Sequence, residues 1–156
     1  MTLNDDARRA LQTLANATAF GGEAVGYAGQ PVAAVAALRR LLTEPQGAAA
    51  LQLVVDQGTR AGQLLALSGL YYADHRAFEQ LLVRYRSATD SVPVHLGGCF
   101  IGFDEQPVAT LISAPGAMQL AGPHETLAQW THRHPTRTEL VYDIEGGGWP
   151  MALAGR

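Results

Sequence analysis

Lysine is absent from this 156-residue chain, and cysteine occurs once, at Cys99. A single cysteine excludes an internal disulfide and a cysteine-based zinc site. Charged residues make up only 16% of the sequence, against ~25% in an ordinary soluble domain. Three readings fit that scarcity: an extensive core, a surface meant to meet a partner, or simply a chain rich in alanine and other small residues. Basic excess is lacking as well. The net charge is −3 and the pI about 5.9, whereas a dedicated nucleic-acid binder carries a basic patch and a pI above ~9. No apolar run approaches the ~20 residues that span a bilayer. The start, "MTLNDDARRALQTL", has neither the basic opening nor the apolar stretch of a signal peptide. The expectation is a cytoplasmic protein with no nucleic-acid or membrane partner.

What is present is a hydrophobic fraction of 47%. The length suits one domain over residues 1–156, large enough to bury roughly 70% of the surface of its unfolded chain. Residues 4–17 read as a helix: Ala7, Ala10, Leu11 and Leu14 share a face. Asn4 is placed to cap it, and Asp5 and Asp6 suit the positive end of the helix dipole. "AFGGEAVGYAGQP" then breaks the pattern. With no strand before it and no lysine after it, it reads as a packed connector, not a phosphate cradle. Residues 31–43 predict a second helix opened by Pro31, with Val32, Val35, Leu38 and Leu42 inward. Residues 46–57 predict a third, with Leu51, Val54 and Val55 inward. Gly58 is placed as its stop and Thr59 as the cap of the next. Residues 60–73 and 75–87 predict a fourth and a fifth, with Asp74 as the cap between them. In the fifth, Phe78, Leu81, Leu82 and Tyr85 form the apolar stripe. Links of two to three residues force neighbouring helices antiparallel.

The fourth helix holds two interior glycines, Gly62 and Gly69, in "AGQLLALSGLYYADHRAF". Each costs roughly 1 kcal/mol against alanine, a large fraction of a net stability of ~5–15 kcal/mol. Gly62, Ala66 and Gly69 lie on one side, while Leu64, Leu67 and Tyr71 lie on another. The spacing predicts an inner helix whose thin side is met closely by a neighbouring helix. A ligand groove over the glycines is the competing reading.

The second half differs. "SVPVHLGGCFIGFDE" alternates around Gly97 and Gly98, which predicts a short β-hairpin with a glycine turn, its second strand through Cys99, Ile101 and Phe103; because Pro93 and Gly102 both weaken a strand, an irregular or helical segment is the alternative. "DEQPVATLISA" predicts a short helix begun by Asp104, with Pro107 in its first turn. "HETLAQWTHRH" predicts another, ended by Pro135, with Leu127 and Trp130 packed. The three glycines at 146–148 mark a hinge or a tight reversal, and Trp149 is placed to plug the end of the core. The fold class expected is therefore mainly α: stacked antiparallel helical hairpins over residues 31–87, and a less regular C-terminal part over 91–156 with a short β-hairpin.

At "TRAGQLLALSGLYYADHRAF", with the hairpin of residues 31–57 ahead of it, the chain resembles α-helical repeat proteins of the HEAT/armadillo kind, and among these a small bacterial domain. The two hairpins are offset by about 29 positions and match in pattern, not in residue identity. The resemblance covers residues 31–87. It implies a stacked array used as a binding surface, and it supplies no catalytic residues.

Few constellations carry chemistry. His124, His132 and His134, with Glu125, are the densest set of possible metal ligands. His132 and His134 diverge on a helix and share a face only if extended, so surface histidines are the alternative. His95 and Cys99 flank the glycine turn as a possible base and thiol, but an apolar-flanked cysteine is commonly buried and inert. Asp104, Glu105, Asp143 and Glu145 have no fixed separation from which a reaction follows. Tyr71, Tyr72, Tyr85, Arg84 and Arg86 suggest an interface edge, because tyrosine and arginine dominate hot spots; Tyr71 and Tyr85 equally suit the core. The candidate interface is Tyr72, Arg76, Arg84 and Arg86, with no catalytic, metal or cofactor residue assigned. The leading expectation is a non-catalytic protein-interaction or adaptor module that needs no cofactor. The alternatives are an immunity-protein or antitoxin-type inhibitor, and a small enzyme or ligand binder using His95, Cys99 and His132.

Overall fold

A computed structural model describes residues 1–20, 32–95 and 102–113, the side chains of Tyr72 and Ser113 excepted. Within them the chain is mainly helical, with one two-stranded antiparallel sheet. The order is α1 (Asp5–Ala15), α2 (Ala33–Leu42), α3 (Gly47–Gln57), α4 (Arg60–Ala73), α5 (His75–Leu82) with a 3-10 turn over Val83–Tyr85, β1 (Ser91–His95), β2 (Phe103–Pro107) and α6 (Val108–Ser113). Three of the expected caps form. The side chains of Asn4, Thr59 and Asp74 accept from the backbone N–H of Ala7, Gly62 and Ala77, satisfying amides that have no partner inside their helices. The expected connector at residues 21–31 and everything beyond residue 113 lie outside the described residues.

Helix α4 is the centre. It touches α1, α2, α3, α5 and β1. Leu64, Leu65, Ala66, Leu67 and Leu70 have no exposed surface, and Tyr71 has 3%. A helix buried on all sides must be sheathed by others, as its sequence predicts. The one buried polar side chain described on it, Ser68, donates to the Leu65 carbonyl at 2.7 Å, so this hydroxyl has its partner. Leu38 and Leu41 of α2, Leu51 and Val54 of α3, Leu14 of α1 and Phe78 of α5 fill the space around it.

The two interior glycines meet different neighbours, and neither is a helix lying along a groove. A Cβ at Gly62 would stand 2.4 Å from the Leu14 carbonyl oxygen and 3.2 Å from that of Ala15. The carbonyl end of α1 is thus pressed against the first turn of α4. Thr59 clasps the same end: its N–H donates to the Ala15 carbonyl at 2.8 Å, and its hydroxyl donates to the Ala17 carbonyl at 2.5 Å. A Cβ at Gly69 would instead meet side chains, Leu38 Cδ1 at 2.6 Å and Leu51 Cδ1 at 3.0 Å. Backbone cannot retreat as a leucine methyl can. Gly58 ends α3 with extended, not left-handed, backbone (φ −78°). Its lack of a side chain matters for space, since a Cβ there would lie 2.7 Å from the Val54 carbonyl oxygen.

The hairpin forms with a different register from the one the glycine pair predicts. A two-residue turn at Gly97 and Gly98 pairs His95 with residue 100; the structure pairs His95 with Phe103, Val94 with Asp104 and Ser91 with Pro107. The stretch from Asp104 to Pro107, expected to begin a helix, is therefore strand, and α6 starts only at Val108. Cross-strand pairing outweighs the local cap signals of Asp104 and Pro107. Val92 and Val94 turn inward onto the helices and are buried, which anchors a sheet that two strands alone would not hold. On the other flank of β1, Phe20 donates to the Pro93 carbonyl at 2.8 Å and accepts from the His95 N–H at 3.0 Å. The N and O of a strand residue point the same way, so the donor that Pro93 lacks falls on the flank where, among the described residues, Phe20 alone pairs.

Gly62→Ala is expected to lower stability by about 1–3 kcal/mol, overpacking against backbone exceeding the helix-propensity gain. Gly69→Ala should stay within about 1 kcal/mol of wild type, because the leucine ends yield. Urea unfolding of the two variants beside wild type checks the contrast; equal losses would contradict the packing at Gly62.

Candidate functional site

Helix α5 carries the candidate interface, and its two faces are sharply different. Asp74 starts it, and Gln52 of α3 donates to the second Asp74 oxygen at 3.4 Å. The inner face buries Ala77, Phe78, Leu81 and Leu82, with Tyr85 from the following turn. Tyr71 of α4 meets Phe78 edge-on at 5.2 Å and the His75 ring at 4.7 Å, a geometry favoured by ring quadrupoles. Both Tyr71 and Tyr85 are therefore core residues. The outer face exposes Arg76, Glu79, Gln80, Val83, Arg84 and Arg86.

Two of those side chains are engaged beside the face. Arg84 donates to Asp56 of α3 at 2.8 Å, tying α5 across to its neighbour; both partners are more than half exposed, so the tie is worth at most about 1 kcal/mol. His75 Nε2 lies 3.4 Å from Glu79. Behind them Arg60 knits α4 to the start of β1. Its Nε donates to Asp90 at 2.5 Å, a terminal nitrogen donates to Gln63 at 2.8 Å, and its guanidinium stands 5.3 Å from the centre of the Tyr85 ring. The Tyr85 hydroxyl donates to Gln63 at 3.4 Å. Burial pushes the Tyr85 phenol above its usual value, against the opposing pull of Arg60 and Arg84.

Arg76 and Arg86 stand apart. Arg8, Arg9, Arg40, Arg60 and Arg84 pair with Asp5, Asp6, Glu44, Asp90 and Asp56, and Arg39 is also engaged. Among the described residues Arg76 and Arg86 have no ion-pair partner. Between them sits Val83, 57% exposed. Val83 follows Arg76 by seven residues, two helical turns, and precedes Arg86 by three, one 3-10 turn, so the three share a side.

Of the predicted interface, Arg76, Arg84 and Arg86 all lie on this outer surface. Tyr72 belongs to the last turn of α4, and its side chain lies outside the described residues. Sequence reasoning missed Val83. The available signal was an apolar residue on the polar stripe of the most amphipathic helix. His95 is half-buried on β1 with its ring 4.8 Å from Phe103, and burial holds its imidazole below the usual histidine range. Asp104 and Glu105 are exposed on β2. Cys99, His124, Glu125, His132, His134, Asp143 and Glu145 lie outside the described residues. Among the described residues no group of three or more His, Cys, Asp or Glu side chains is placed to hold a metal ion, and no helix is long and apolar enough to cross a membrane. No protein-family model, curated protein or solved structure matches the chain.

The Tyr85 environment sets a sign for alkaline stability. A phenol whose folded pKa is raised keeps its full contribution below its unfolded value near 10 and loses it as pH climbs through the folded value. Wild type should therefore lose stability above about pH 10 more steeply than Tyr85→Phe. Unfolding free energies of both proteins between neutral pH and about pH 11 measure the difference; parallel curves would refute it.

Proposed function

We propose that this chain is a non-catalytic protein-interaction module of HEAT-like stacked hairpins, which takes its partner on the outer face of α5. The observation that carries this reading is the exposed Val83 between the guanidiniums of Arg76 and Arg86, which have no ion-pair partner among the described residues. Arginine is enriched at interface hot spots, and here two arginines flank an exposed apolar side chain. Exposed valine gains by being covered, and guanidiniums offer planar, bidentate donors to carboxylates. Arg84, held by Asp56, supports the rim, and Tyr72 lies in the adjoining last turn of α4. The rigid inner face supports the same reading: Phe78, Leu81, Leu82 and Tyr85 fix the backbone that presents these groups, so little ordering is needed on binding.

The test is capture with the purified full chain as bait, comparing wild type with Val83→Asp and with Arg76→Glu/Arg86→Glu. Wild type should retain a partner in stoichiometric amount. Each variant should lose it by about tenfold or more in affinity while keeping the wild-type melting temperature. Retention unchanged in both variants would overturn the assignment of this face.

A further inference from the structure

Exposed apolar side chains are few, and two of them are complementary in their charged surroundings. Among the described residues the large exposed apolar groups are Met1 at the terminus, Val83 at 57% and Phe103 at 59%. Val83 lies between the guanidiniums of Arg76 and Arg86. Phe103 opens the sequence Phe-Asp-Glu on β2, followed by the exposed carboxylates of Asp104 and Glu105. One patch is apolar and cationic, the other apolar and anionic.

We infer that the two patches are the halves of a head-to-tail contact between copies of this chain, with Phe103 of one copy on Val83 of the next and Glu105 on Arg86. The spacings agree. Phe103 and Glu105 are two residues apart on one face of a strand, about 6.6 Å. Val83 and Arg86 are separated by one 3-10 turn, about 6 Å. Arg76, about 10 Å from Val83 along the helix on the side away from Arg86, is left to solvent. Because the two halves differ, the contact is heterologous: each added copy leaves one patch of each kind open. Growth therefore proceeds by addition and does not stop at a two-fold dimer unless a ring closes. The patches are small compared with the ~1,200–2,000 Å² of a stable interface, so association is weak and driven by concentration. It weakens with salt, as pairs of exposed charges do.

This inference shares the α5 face with the proposed function and needs no other partner. Sedimentation of the full-length protein over rising concentration is the test. The mean mass should climb above that of one 16.6 kDa chain and fall back in high salt. Arg76→Glu/Arg86→Glu and Asp104→Arg/Glu105→Arg should each stay monomeric. An equimolar mixture of the two should grow again as alternating copies, since each intact patch meets an intact one and each exchanged patch an exchanged one. Combining all four substitutions in one chain should restore growth by charge exchange, which also shows that loss in the separate variants is not misfolding. A mass fixed at one chain up to about 1 mM, a mixture that stays monomeric, or growth undiminished in both variants would each overturn the contact. Should the chain remain monomeric while capture through α5 succeeds, only the self-contact fails; should it associate while nothing is captured, only the interaction-module reading fails.

Discussion

The carbonyl end of α1 is set against the amide end of α4, and the rest of the packing is arranged around that junction. The last peptide oxygens of a helix carry partial negative charge and the first amides of another carry partial positive charge. Here the two ends satisfy each other directly, through the Thr59 N–H on Ala15 and the Thr59 hydroxyl on Ala17. The approach is possible only because the next residue inward on that side is Gly62, whose missing Cβ leaves room for the Leu14 carbonyl. Thr59 acts in three ways at once. It caps α4, links α3 to α4 in a two-residue turn with Gly58, and holds α1 in place.

With α4 fixed at one end, its length decides the remainder. Fourteen residues buried nearly all round require α2 and α3 on one side and α5 on another. Each fully covered leucine of α4 contributes roughly 1.5–3 kcal/mol, so the sheath is enforced by burial more than by surface ion pairs. Helix α5 closes the stack with one apolar face and one polar one, so its outer side faces solvent. The arginines and Val83 are there because the inner stripe of Phe78, Leu81, Leu82 and Tyr85 leaves them nowhere else to go.

Much of this was legible from local chemistry. The bounds of α4 follow from Thr59 and Asp74, both short side chains that cap the helix after them, and the cost of two interior glycines signals a central helix. The partner of Gly62 was not legible, because it is a carbonyl 48 positions earlier in the chain. The tie between Asp56 and Arg84, 28 positions apart, was hidden for the same reason. On β2, local and distant influences conflict. Asp104 and Pro107 suit the start of a helix as well as any residues in the chain, and pairing with β1 overrides them and delays the helix to Val108. For the site, the amphipathic pattern of α5 placed Arg76, Arg84 and Arg86 outside correctly. It did not distinguish the arginine held by Asp56 from those with no ion-pair partner among the described residues, since that depends on a neighbouring helix.

Phe20 is joined to β1 by two backbone hydrogen bonds whose partners, Pro93 and His95, come more than seventy positions later. Contacts of such separation form late, because a long loop must close first. On the ribosome, where the chain emerges from its N-terminus, helices α1 to α5 are all synthesised before the residues that complete this strand pair. Vectorial synthesis thus fixes an order of assembly: the helical body can condense first, and the sheet is sewn onto it afterwards by a residue that has been waiting beside α1.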